Sequence, residues 1–128
     1  MSATVTARLT FTKERIGDLL CCAFEGGSNY WYLIEGYLDP APPSPVVYSH
    51  IEYPLHGGGA LVTDAKQQDA DACIYPAVCL DWDRLQWGLQ VMAERYPRHF
   101  ADFAAENEDA DTGDVFLQCC VFGQLVYG

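Results

Sequence analysis

From Ala3 to Phe11 the chain alternates, with Ala3, Val5, Ala7, Leu9 and Phe11 on one side and Thr4, Thr6, Arg8 and Thr10 on the other. A period of two predicts a half-buried strand over 3–11 with one wet face. The period then lengthens: Ile16, Leu19, Leu20, Ala23 and Phe24 form a single stripe at helical spacing. Thr12 is suited to cap that helix, and Glu14 and Asp18 favour its positive end. Gly26 and Gly27 stop it, because glycine adopts the left-handed conformation at a helix end cheaply.

Ser28 and Asn29 then turn the chain into a strand over Tyr30–Leu38. Tyr30, Tyr32, Ile34 and Leu38 share one side, and Trp31, Leu33, Glu35 and Tyr37 the other. Both sides are largely apolar or amphipathic, which predicts a central strand covered on both faces. The proline-rich stretch 39–45 reads as a stiff loop. Strands are expected over Val46–Leu55, Ala60–Thr63 and Cys73–Leu80, with a turn at Gly57–Gly59 and a polar loop over Asp64–Asp71. Pro76 limits the third of these strands to an edge or a bulge.

Asp81 or Asp83 caps the longest helix, whose inner stripe is Leu85, Leu89, Met92 and Tyr96. Pro97 ends it and opens a second helix, with Phe100, Phe103 and Ala104 inward. Residues 106–114 read as an acidic loop. Thr112 or Asp111 then caps a short helix through Val115–Phe122, closed by Gly123, with a last strand over Leu125–Tyr127. The expected fold is α+β: one domain over residues 1–128, an antiparallel sheet of about four to five strands, and three to four helices packed on one face.

Charge changes the picture. There are 18 Asp and Glu against 7 Lys and Arg, a net charge of −11, and no base follows Arg98. Such a chain repels nucleic acid and anionic membrane and attracts cationic partners. No basic flank precedes an apolar N-terminal run, and no apolar run is long enough to cross a bilayer, so a cytosolic location is expected. In that compartment the six cysteines read as buried thiols rather than disulfides.

The search for chemistry yields candidates without a constellation. His50, His56 and His99 have no zinc-protease spacing. Asn107, Asp109 and Asp111 fit the first positions of a calcium loop, but Thr112 stands where its glycine belongs and Gln118 where its bidentate Glu belongs. Cys21–Cys22 and Cys119–Cys120 lie among apolar or acidic neighbours that disfavour a thiolate. Glu25, Glu35 and Glu52 are not paired by anything in the sequence, and neither glycine run is followed by the Lys-Ser/Thr of a phosphate loop. No enzyme, cofactor or metal is expected.

Two surfaces remain. Asp102, Glu106, Glu108, Asp109, Asp111 and Asp114 form an anionic ridge able to imitate the phosphates of a duplex. Ser28, Asn29, Tyr30, Trp31 and Tyr32 form an aromatic turn that could stack a base, with Arg84, Arg95 or Arg98 available for phosphate. Core packing is the alternative role for Trp31 and Tyr32.

The blocks AFEGGSNYWY (Ala23–Tyr32), RYPRHFADF (Arg95–Phe103) and DADTGDVFLQCCVFGQLVYG (Asp109–Gly128) resemble a group of small proteins encoded by bacteriophages and prophages. The resemblance covers both ends of the chain, omits the proline loop and middle strands, and carries no residue's activity over. It implies a phage accessory gene expressed in the host bacterial cytoplasm. With the charge, it leads to the expectation of a stoichiometric counter-defence inhibitor that offers its acidic ridge to the basic channel of a host nucleic-acid-binding complex, as an anti-CRISPR protein would. The alternative is a sponge for a nucleotide immune signal, held by Ser28, Asn29, Tyr30, Trp31, Arg95 and Arg98. A virion component and a small enzyme are further readings; self-association stays open.

Overall fold

The helix expected after Thr12 is present, and its cap shows why it starts there. In the computed structural model, which describes residues 1–43, 48–66 and 77–128, Thr12 Oγ1 accepts from the Arg15 backbone N–H at 3.2 Å. The first helix, α1, runs Lys13–Cys22 and buries Ile16, Gly17, Leu19 and Leu20. It continues into a π-helical turn over Ala23–Gly27. The wider turn is closed by Ser28 N–H donating to the Ala23 carbonyl at 2.8 Å. A π turn shifts the register of everything after it, and such turns often mark functional positions.

The sheet has three antiparallel strands in the order β1 (Tyr32–Leu38), β2 (Gly59–Asp64), β3 (Val78–Leu80). Among the described residues this is mixed α+β with fewer strands than expected and five α-helices. β1 is an edge strand rather than a central one, and its burial alternates instead of covering both faces. Its pairing with β2 slips between Ile34 and Gly36, leaving Glu35 as the extra residue. A bulge discourages further pairing at the edge of a sheet. The strand buried on both faces is β2, where only Leu61 is partly exposed.

Among the described residues, three expected strands are not formed. Residues 3–11 form no regular structure, and residues 1–10 are exposed. Val5, Ala7 and Leu9 instead line a cleft of about 620 Å³ with Leu89 and Ala93 of α3 (Trp82–Arg95). Of the alternating apolar residues, only Phe11 packs against the core, so the pattern is not matched by pairing in a sheet. Ser49–Leu55 is helix α2, buried through Ile51, Pro54 and Leu55, so the part of Val46–Leu55 that can be described is helical. Leu125–Tyr127 is a strap, not a strand, held by backbone bonds to Gln118. Val46 and Val47, residues 67–71 of the polar loop and the Cys73–Pro76 part of the expected strand lie outside the described residues.

Asp81 caps α3, its side chain accepting from Arg84 N–H, and Pro97 stands at the start of α4 (Pro97–Ala104). Phe103 is fully buried there, whereas Ala104 faces solvent, contrary to the inward position expected for it. The last helix, α5, spans Ala110–Phe122, longer than expected, and its cap is Asp109 rather than Asp111 or Thr112. Residues 110–114 are thus helical, and only 106–109 of the expected acidic loop remain a link. Thr112, Gly113 and Val115–Val121 are all buried. A helix apolar on every side belongs in the middle of a core. α1 and the π turn pack on one flank of α5 and α3 on another. Gly123, in the left-handed conformation with φ 73°, ends it.

Candidate functional site

Position 114 holds the aromatic turn together. The Asp114 carboxylate accepts from Ser28 Oγ and Trp31 Nε1 through Oδ1, both at 2.7 Å. Its Oδ2 accepts from the Tyr30 hydroxyl at 2.7 Å and Gln118 Nε2 at 3.1 Å. Four donors on one carboxylate satisfy it without any cation, and charge-assisted bonds of this kind are the strong ones. Ser28 and Trp31 are fully buried, with the Trp31 ring packed 5.1 Å from that of Phe122. The core role is the one the structure gives Trp31; of the turn, Asn29 and Tyr30 remain exposed.

Gln118, which spacing alone did not single out, completes this unit. It is fully buried, accepts from the N–H groups of Val126 and Tyr127 at 2.8 and 2.9 Å, and donates to the Tyr127 carbonyl at 3.1 Å. The Tyr127 hydroxyl donates to Asp64 at 2.6 Å. Lys66 Nζ stands 4.9 and 5.0 Å from the ring centres of Tyr30 and Tyr127, close enough for a cation–π attraction. Burial, then the bond to Asp114, pushes the Tyr30 hydroxyl up to about 12.

The six carboxylates of the ridge divide by environment. Asp114 is turned inward, as described. Glu108 is clamped by Arg15, whose two terminal nitrogens both reach it, with the second also donating to the Phe103 carbonyl at 2.6 Å. That bond holds Glu108 below the usual carboxylate range, against the opposing effect of burial. Asp109 is exposed but spends its side chain on the N–H and hydroxyl of Thr112, at 2.9 and 3.0 Å, and these lower its pKa. Glu106 lies 3.8 Å from Arg15 Nε with its side chain largely exposed. Asp102 and Asp111 are exposed.

Helix packing adds carboxylates to this surface that the linear sequence keeps far apart. Burial raises the Cys22 thiol, and Glu108, Asp109, Asp18 and Glu25 add to the rise. Carboxylates from α1, the π turn and the α4–α5 link thus act on one thiol. Glu14, Asp18 and Glu25 are all exposed and follow one another at helical spacing, opposite the core stripe of α1.

Two further bases are engaged by the fold, while Arg8 is exposed. Lys13 Nζ donates to the Leu55 carbonyl at 3.1 Å and lies 5.3 Å from the Trp82 ring centre. Arg84 donates to the carbonyls of Cys120 and Val121 at 2.6 and 3.3 Å, which satisfies orphan groups at the negative end of α5. Arg95 ends α3 and Arg98 begins α4; both are exposed, on elements other than those that build the aromatic turn.

The thiols and histidines weighed above occupy defined environments. Burial pushes Cys21 up to about 11 and Cys119 up to about 12, and Cys120 well above the ordinary thiol value. A thiol in that state is a poor nucleophile. His56 meets Glu52 at 3.0 Å, and the His50 ring packs edge-on 4.7 Å from Phe24. Among the described residues, no group of three His, Cys, Asp or Glu side chains is placed to hold a metal ion, and no helix is long and apolar enough to cross a membrane. Compared with protein-family models, with curated proteins and with solved structures, the chain matches none.

Proposed function

We propose that this protein is a non-enzymatic, phage-encoded inhibitor that offers fixed negative potential to a cationic surface of a host nucleic-acid-binding defence complex. The observation that carries the reading is how the fold uses its charges. Lys13, Arg15, Lys66 and Arg84 contact carbonyls, rings or a carboxylate of the fold, leaving Arg8, Arg95 and Arg98 as the other exposed bases, while Glu14, Asp18, Glu25, Asp102, Glu106 and Asp111 face solvent. In a chain of net charge −11, these six carboxylates lie on the outside of a helical frame. Fixed charges on a rigid frame steer a partner and set its register better than the same charges on a flexible tail.

Two ridge positions change role in this reading. Glu108 and Asp114 act by holding the frame, and the contact surface shifts toward α1, through Asp18 and Glu25. Nucleotide sequestration draws less support: the buried Trp31 ring has no free face, and its indole N–H is bonded to the carboxylate of Asp114.

The test is competition. The tagged protein is used to capture partners from bacterial lysate, and the captured complex is challenged with duplex DNA at low and at high salt. The proposal expects a DNA-binding complex that DNA displaces, with capture weakening as salt rises. Capture indifferent to both DNA and salt would overturn it.

A further inference from the structure

Between α1 and α2 runs a furrow of about 400 Å³, within the ~300–1,000 Å³ typical of ligand clefts. Its floor is apolar: Gly17, Ile51 and Leu55 are buried beneath it, and Tyr48 stands at its side, 46% exposed. The helices meet closely there, since a Cβ on Gly17 would lie 2.9 Å from Leu55 Cδ1. Its rims are acidic, with Glu14 and Asp18 on the α1 side and Glu52 on the α2 side. The cation at the furrow, Lys13, is drawn off by the Leu55 carbonyl and the Trp82 ring.

This arrangement costs stability. Glu14 and Asp18 are four apart on one helix, where like charges repel by a few tenths of a kcal/mol, and Lys13 beside them is engaged by the Leu55 carbonyl. A second, shallower furrow shares Asp18 and Cys21 and continues past Cys22, Glu25 and Gly26 to Ala110 at the start of α5. The acid stripe of α1 is thus a crest with a trough on either side.

An apolar floor between two helices, rimmed by Glu14, Asp18 and the His56-bonded Glu52, fits one kind of occupant. We propose that the α1–α2 furrow is the docking site for a basic amphipathic helix of the partner, its apolar residues on Ile51, Leu55 and Tyr48 and its Lys or Arg side chains on Glu14, Asp18 and Glu52. Helix-in-groove recognition works this way, with apolar anchors supplying affinity and flanking charges supplying orientation. The inference rests on the cationic-partner reading above and narrows it to one surface.

The probe is a helix-stabilised peptide with Leu at i, i+3, i+4 and i+7 and Lys elsewhere, titrated into the whole chain and followed by amide chemical shifts. A peptide of the same composition without an apolar face is the control. Shifts should concentrate on Gly17, Cys21, Ile51 and His56, and the control should bind more weakly. Glu14→Gln/Asp18→Asn should weaken binding about five- to tenfold. Asp83→Asn/Glu94→Gln, which removes the same charge from α3, should have little effect, and Tyr48→Ala should weaken binding at unchanged charge. Equal losses in the two charge variants, or shifts spread evenly over the acidic surface, would overturn the proposal. The same variants separate it from the broader reading. If Glu14→Gln/Asp18→Asn still competes with DNA for the captured complex, the furrow is wrong and the acidic inhibitor stands. If the furrow binds the peptide but the protein antagonises no DNA-binding complex, the docking site stands alone.

Discussion

Arg15 reaches across 93 positions of sequence to Glu108, and the pair ties α1 to the link between α4 and α5. Its carboxylate is depressed by folding, chiefly through the Arg15 bond. A carboxylate with a folded pKa below its unfolded value, about 4.3 for Glu, contributes stability that is complete above the unfolded value. That contribution disappears as pH falls through the folded value. Glu108→Gln should therefore lower stability at neutral pH by about 1.5–3 kcal/mol, the worth of a charged hydrogen bond. As pH falls through the folded value, the variant and the parent should converge. Urea midpoints across that range decide it, and a parallel offset at every pH would show that Glu108 does not titrate with folding. Nothing in the spacing of either residue announces this pair, because a contact between distant segments leaves no local period. Asp114 was visible as one more acid in a run; that it faces Ser28, Tyr30, Trp31 and Gln118 follows from the helix continuing back to Ala110.

At the scale of elements, the close approach of α5 to α1 is set by Gly113. A Cβ there would stand 2.5 Å from the Ala23 backbone nitrogen and 2.7 Å from Cys22 Cβ. Backbone cannot yield as a side-chain tip can, so Gly113→Ala should cost about 3 kcal/mol, the upper part of the overpacking range, despite alanine's better helix propensity. Gly26→Ala is the matched control, since its added methyl meets only Ala110 Cβ at 3.9 Å. Thermal denaturation should separate the two variants clearly; similar melting would mean the helices slide apart at little cost. The helices that sequence reading found most securely, α1, α3 and α4, are those with a polar face, because only an amphipathic helix shows its period. α5 was found short because it is buried on all sides, so its period is hidden. α2 was read as a strand because Ile51, Tyr53 and Leu55 alternate, although Ile51, Pro54 and Leu55 are the residues it buries. The strand expected over 3–11 had the pattern and no partner, and pairing is what turns a pattern into a strand.

For the whole molecule, the acid surface sets stability and association in opposition. A surplus of exposed carboxylates repels itself and weakens the compact state. Raising salt from about 0.01 M to about 0.15 M shortens the screening length from about 30 Å to about 8 Å, which relieves repulsion between carboxylates on different helices. The Arg15–Glu108 pair is sheltered, with side chains 22% and 10% exposed, so it is screened less. The melting temperature should therefore rise over that salt range. Affinity for a cationic partner should fall over the same range, because there screening weakens attraction instead. Acidity that served solubility alone would give the first change without the second. A melting temperature that falls with salt would mean that the exposed carboxylates are already paired in solution, leaving no outward potential for a basic surface to meet.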